Sequence, residues 1–442
     1  MKLASLANTS LVLIAALLFV VLTVPALAAG DISLIHTFTG GKDGSYPDGN
    51  LTADAAGNLY GTTQIGGTFG AGTVFELTPT PAGKWHFSVL YEFTGGLDGA
   101  NPLGSLVFDA VGNAYATTSS GGTANFGTVF ELSPPAANAK QDAGKPKQWT
   151  EKVLYNFQAG SDGALPFGNV VFDAAGNLYG TTSIGGTGHI SCLAGCGTIY
   201  QLSPSGSGVW TEKILHRLRD AFGEGAEPRA GLIFDAVGNL YGTTYEGGDN
   251  EVCGGTGCGT VFQLAPPPAG KKHWKFKNLI DFKVHNGALV RGSVTFGPSG
   301  ALFGTTMFGG QNNAGTVFSL DQESGRWKLH TIYSFNIFDG LQPAGTLAFD
   351  ASGNLYGATY EGGANDWGGI FQLVPGANGW TENLLYSFAV SGKGFGADPL
   401  GGLIIDSAAN LYMTTNQGGN INDCQPNSGC GTVIKLSTTP AH

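Results

Sequence analysis

DAAGNLYGTTQIGGTFGAGTVFEL, Asp54–Leu77, is one of seven near-copies of a single phrase. The others run Asp109–Leu132, Asp173–Leu202, Asp235–Leu264, Gly297–Leu320, Asp350–Leu373 and Asp406–Leu436. Their spacing ranges from 53 residues (Gly297 to Asp350) to 64 (Asp109 to Asp173). After each of the first six comes a Trp-led run of alternating apolar and polar residues, such as Trp149–Phe157 (WTEKVLYNF). No such run follows the seventh. A matching run, Ile32–Phe38 (ISLIHTF), lies near the start instead. A repeat whose two ends complete one unit describes a closed ring, and a fixed long period implies stacked units sharing a continuous core.

Each unit contains four short runs with strand character. In the second unit these are Ser105–Phe108, Asn113–Thr118, Thr128–Leu132 and Trp149–Phe157. They are rich in β-branched and aromatic residues between Gly, Pro and Asp punctuation. No sustained helical period interrupts them. The predicted fold is all-β: a seven-bladed β-propeller with four antiparallel strands per blade, closed by the N-terminal strand completing the last blade. The Asp of D-A-x-G-N caps the turn between the first two strands. The Trp opening each fourth strand (Trp85, Trp149, Trp210, Trp274, Trp327, Trp380) reads as a packing anchor.

Of 442 residues, 73 are Gly, while only 12% are charged and 42% are hydrophobic. This is a folded, turn-rich chain, not a disordered one. A net charge of −11 argues against a phosphate-backbone partner, so no nucleic acid is expected. The basic stretch Lys140–Lys147 reads as a solvated loop. Residues 1–28 read as a signal peptide: Lys2, an apolar run Leu11–Val24, and Ala26-Leu27-Ala28 at the cleavage site. Residues 29–442 then form one domain, secreted to an extracellular or periplasmic space, with no membrane span in the mature chain. The six cysteines fall into close pairs in one kind of loop, Cys192/Cys196, Cys253/Cys258 and Cys424/Cys430. Local disulfides are expected; thiolate metal binding lacks a completing His or Cys.

The phrase resembles the GloVer-type (Gloeo_Verruco) tandem repeat of secreted bacterial proteins. The resemblance rests on G-N-L-Y-G-T-T at Gly57–Thr63, Gly176–Thr182 and Gly238–Thr244, with the following Gly-Gly and G-T-V-F-x-L. It implies an exported, surface-associated protein and no defined reaction. Members often carry a C-terminal sorting anchor; none is expected here, where six residues follow Leu436. The first two strands of each unit also resemble propellers of the NHL and lactonase type, and the Gly-Gly and Trp resemble kelch repeats. Those are analogies of fold.

Two loop sets are expected to share one face. One reads D-G-x-x-P-x-G and carries Asp43, Asp98, Asp162, Glu224 and Asp339, with Asn286 and Phe395 in the other two units. These acids read first as turn starters; as oxygen ligands they would suit calcium, though no D-x-D-x-D-G loop is present. The second set holds the cysteines. Binding residues favour variable loops on a rigid scaffold, which singles out this face. Just before Gly-Gly, two units depart from the rest with Tyr245-Glu246 and Tyr360-Glu361, and Trp367 follows. Aromatic faces with carboxylates suit sugars. The expectation is a binding or scaffold module for a polysaccharide or extracellular protein. The alternative is a glycan-active hydrolase or lyase with Glu246 and Glu361 as its carboxylates. A calcium-assisted lactonase-like hydrolase is a third, weaker reading. His189, His216 and His285 have no partner at metal spacing. No G-x-S-x-G, P-loop or H-E-x-x-H occurs.

Overall fold

The computed structural model describes residues 31–136, 149–186, 188, 192–206, 208–220, 223–249, 253–389, 393–420, 422–424 and 428–438. The expected signal segment, Lys140–Lys147 and His189 lie outside them.

Seven sheets form the blades of a seven-bladed β-propeller, each with four antiparallel strands, and an eighth, two-stranded sheet pairs Lys393–Ala397 with Gln417–Asn420. Blade 1 is Thr52–Ala53, Leu59–Thr63, Thr73–Pro79 and Trp85–Glu92. Blades 2 to 6 repeat this, with an added short strand in blade 2 (Ala100–Pro102) and blade 6 (Leu341–Pro343). In blade 7, Ile404–Ile405, Asn410–Thr415 and Thr432–Ser437 are joined by Asp31–Thr37, which pairs with Thr432–Ser437. Its register slips between Leu34 and His36. The other six blades slip at the equivalent place, as at Val153/Tyr155. A short 3-10 turn runs Cys253–Gly255. Among the described residues no helix is long and apolar enough to cross a membrane.

The repeated letters now have causes. In L-Y-G-T-T the Gly makes room for an aromatic on the next strand. A Cβ on Gly61 would lie 2.5 Å from Phe75, and one on Gly357 2.4 Å from Phe371. Blade 7 keeps the volume by exchanging both members: Met413 takes the Gly place and Ile434 the aromatic one, and both are buried. A Phe closing the outer strand packs edge-on against the next blade's aromatic for Phe93 on Phe130, Phe335 on Phe371 and Phe38 on Phe75, while blade 3 closes with the buried Leu218. The Trp anchors reach back to the preceding blade, as Trp274 does to Tyr179.

The two threonines have separate tasks. The first crosses to the next blade, as Thr117 Oγ1 donates to Gly168 O (3.1 Å) and Thr414 Oγ1 to Gly49 O (3.1 Å). The second meets the Thr of G-T-V-F in its own blade, as Thr118 does Thr128 (2.9 Å). Blade 6 has Ala358 and Gly369 at the first and third of these places. Thr359 there accepts from the Gly369 N–H instead (3.0 Å).

The Asp turn is a closed network. Asp109 Oδ1 accepts from the Val111 and Asn113 N–H groups, and Oδ2 from the Asn113 amide and the Tyr115 hydroxyl. Five further blades repeat it. Blade 5 replaces all three partners at once with Gly297, Ala301 and Phe303. Burial works against ionising these aspartates, but the hydrogen bonds prevail and hold Asp54, Asp109, Asp173, Asp350 and Asp406 below the usual carboxylate range.

A different set of carboxyls lies buried between blades. Glu151, Glu212 and Glu382 sit on outer strands, each beside the preceding blade's loop acid (Asp98, Asp162, Asp339). Burial first, and the neighbouring acid second, push each glutamate up to about 7. Where the loop acid instead pairs with a histidine, the next blade offers Phe: His36 lies flat on Phe87 and His216 on Phe276.

These two sets predict a stability optimum on the acid side. A raised carboxyl keeps its proton in the folded state, so its contribution is present at low pH and is lost as pH rises from the unfolded value toward about 7. The depressed aspartates contribute above their unfolded value and lose that below it. The melting temperature should therefore rise as pH is lowered from 8 to 5, then fall below about 4. A melting temperature that climbs steadily from pH 5 to 8 would contradict this assignment.

Candidate functional site

The three cystines form as expected: Cys192–Cys196, Cys253–Cys258 and Cys424–Cys430, with Cα separations of 5.2, 5.3 and 5.3 Å. Cys196, Cys258 and Cys430 are fully buried just before the Gly-Thr of the third strand. In the other blades that slot holds Ala71, Phe126, Ala314 and Trp367. From each slot the backbone carbonyl accepts an N–H of the next blade, as Cys196 O does from Glu227 (3.0 Å) and Cys430 O from Tyr46 (3.0 Å). Trp367 O serves Asp398 in the same way (3.3 Å), and its ring packs half-buried against the blade 6–7 core. That leaves only part of the ring for a ligand.

The loop acids face their own turns. Asp98 accepts from Thr94 N–H and hydroxyl and from Tyr91. Asp43 is held by Thr39 and His36, Asp162 by Gln158 and Tyr155, and Asp339 by Asn336 and Tyr333. Glu224 binds His216 and Arg219. Among the described residues no group of three or more His, Cys, Asp or Glu could hold a metal.

The residues that receive the seven carbonyls share a second property. Tyr46, Asn101, Leu165, Glu227, Leu289, Gln342 and Asp398 all have φ between 53° and 60°. This region is unfavourable for such side chains, and residues held in it cluster at functional sites. Two positions later the chain turns into the central channel. There the side chains are Asp48, Leu103, Phe167, Arg229, Arg291, Ala344 and Leu400, one per blade. They line a cavity of ≈ 360 Å³ floored by glycines and small polar residues. That volume lies within the range of roughly 300–1,000 Å³ typical of ligand pockets. Blades 2 and 3 supply an apolar wall, Leu103 and Phe167; blades 1, 4 and 5 supply charge.

Tyr245 lies beneath Arg229, whose guanidinium carbon is 3.8 Å from the ring centroid. Arg229 also pairs with Glu227 (2.7 Å). Glu246, with neighbours Glu227, Arg229 and Asp220, is raised by burial and then by Glu227. Glu361 accepts from Gln342 (3.0 Å) and neighbours Asp398. Burial, then Glu361, pushes Asp398 up to about 7. Burial pushes Asp48 up to about 6 despite the attraction of Arg291. Tyr360 stands among Asp398, Glu361, Arg291 and Asp48, and burial and the acids raise its hydroxyl. Glu246 and Glu361 thus occupy separate charge environments, with no hydrogen bond joining them among the described residues.

Sequence reasoning missed Asp48, Arg229, Arg291 and Asp398. The signal was in D-G-x-x-P-x-G itself: the residues flanking Pro range from acid to base to phenyl while their neighbours repeat.

The Gloeobacter/Verrucomicrobia repeat matches residues 21–187, 143–347 and 254–442. No curated protein matches the chain. Among solved structures, a candidate 6-phosphogluconolactonase from Bacteroides uniformis is 13% identical, over 88% of this chain and 99% of that one, with a TM-score of 0.47. A glucose dehydrogenase is 12% identical, over 93% and 100%, with a TM-score of 0.41. A protein of unknown function from Dyadobacter fermentans is 10% identical, over 93% and 99%, with a TM-score of 0.43. No activity passes from these to this chain.

Proposed function

The chain belongs to the Gloeobacter/Verrucomicrobia repeat family, and from that premise we propose that it is a secreted propeller that binds an extracellular polysaccharide or protein at its channel mouth. The observation that carries this reading is the concentration of variable side chains there. Away from it the seven units largely repeat one set of packing and hydrogen-bonding residues. Around the mouth they present acid, guanidinium, phenol and alkyl groups over a pocket of ligand size. Exposed apolar side chains, Phe69 (61%), Leu97 (70%) and Phe338 (78%), lie on the same two sets of loops. Three disulfides are compatible with an oxidising compartment. Of the two ligand classes, tyrosines beside carboxylates favour a glycan.

The protein should co-sediment with at least one insoluble bacterial or plant polysaccharide and release no sugar into the supernatant. Tyr245→Ala with Tyr360→Ala should abolish retention. Retention by none of the panel would count against the glycan reading and turn the search to protein partners. The enzymatic reading has one observation in its favour: burial and neighbouring Glu361 push Asp398 up to about 7, which suits a general acid beside a second carboxylate. Sugar release that Asp398→Asn or Glu361→Gln abolishes would put that reading first.

A further inference from the structure

Two guanidinium groups in the channel have donors to spare. Arg229 is braced on both sides, by the Tyr245 ring and by Glu227, yet its Nε is buried with no hydrogen-bond partner. Arg291, in the adjacent blade, makes no hydrogen bond or ion pair among the described residues, although it lines the same cavity. An arginine held rigid with free donors is a preformed half of a carboxylate or phosphate site. Buried donors left unmade are costly, so a ligand that fills them gains more than one that meets water-exposed groups.

The opposite side of the ring carries Asp48, from blade 1. In a seven-membered ring blade 1 faces blades 4 and 5, which bear the two arginines. Arg291 feels the charge of Asp48, but the two form no ion pair within 4.0 Å. The space between them is the cavity. The cavity therefore sets two guanidinium groups, one of them shared with Glu227, across from the Asp48 carboxylate.

From this polarity we infer that the channel mouth selects a glycan bearing carboxylates, a uronic-acid polymer. The inference rests on the glycan-binding reading above and specifies its ligand. The sugar carboxylate meets Arg229 and Arg291, and the ring hydroxyls donate to the Asp48 carboxylate across the cavity. A small dianion such as sulfate lacks those hydroxyls and meets only repulsion there. A neutral sugar leaves both guanidinium groups unpaired.

The test is calorimetric titration of the protein with three probes: an oligogalacturonate, its methyl ester, and inorganic sulfate. The acid should bind, and esterification should weaken binding roughly tenfold or more, as expected for losing charge-assisted hydrogen bonds. R229Q with R291Q should bind acid and ester alike while still unfolding in one cooperative transition. Sulfate should not displace the acid. If that double variant does not fold, the acid-to-ester comparison on the wild-type protein still decides. An ester that binds as tightly as the acid would overturn the inference and leave the glycan reading standing. Displacement by sulfate would overturn the assignment to a sugar acid. If neither oligomer binds while a neutral glycan is retained, the inference fails alone; if no glycan binds, it falls with the reading beneath it.

Discussion

Deletion of Ile32–Phe38 should cost the protein its cooperative unfolding transition or most of its stability. The segment supplies the outer strand beside Thr432–Ser437, paired residue by residue from Asp31↔Ser437 to Thr37↔Thr432. Its loss exposes a strand edge and leaves those backbone groups to water. It also removes Phe38, fully buried between Phe75 and Phe87. Truncating one such ring to Ala typically costs about 3–5 kcal/mol. Total stability is usually only about 5–15 kcal/mol. The stacked His36 and the half-buried Ile32 and Ile35 go with it. Thermal unfolding by circular dichroism reads this directly. A deletion variant melting within a few degrees of the parent would mean that the seventh blade holds without its fourth strand.

The second large effect is one that two further substitutions should reverse. Asp109→Gly removes the acceptor of four hydrogen bonds and leaves the Asn113 amide and the Tyr115 hydroxyl facing an empty turn. Urea denaturation should show a loss of about 1–3 kcal/mol. Blade 5 shows how the same turn stands without any of these groups. There the Gly297 N–H donates to Ala301 O (2.8 Å), and the Phe303 ring covers the place an Asp side chain would occupy. Adding Asn113→Ala and Tyr115→Phe to Asp109→Gly should restore more than half of the lost stability, because donors without acceptors are then gone. A triple variant less stable than the single one would refute the compensation.

The fold was legible because its restraints recur at a fixed place in each unit. Leu, Tyr, Gly and the two threonines recur in most units, with exceptions at Ala114 and Ala116, at Phe303, at Ala358/Gly369 and at Met413/Ile434. The added strands Ala100–Pro102 and Leu341–Pro343 were not legible, since each ends in Pro and reads as loop. The same segments lead into the channel, where the site hid. A side chain projecting into a cavity obeys no period, and Arg229 and Arg291 resemble solvated surface charges until the ring brings them opposite Asp48. Tyr245, Glu246, Tyr360 and Glu361 could be found because they break a slot that is otherwise small, amide-bearing or apolar. Trp367 broke its own slot for a different reason: it fills the buried place that Cys196, Cys258 and Cys430 hold elsewhere.

Everything at the mouth depends on seven complete blades, and so on the joining of the two ends. Ser33 and Lys435 are directly opposed across that joint. Opposed antiparallel residues lie roughly 4.5–5.5 Å apart at Cα, within disulfide reach. The decisive measurement is mass spectrometry of non-reduced proteolytic fragments from Ser33→Cys/Lys435→Cys protein. The account predicts a single cross-linked peptide carrying both new cysteines, and a raised melting temperature. Two free thiols in a protein that melts as the parent does would contradict it.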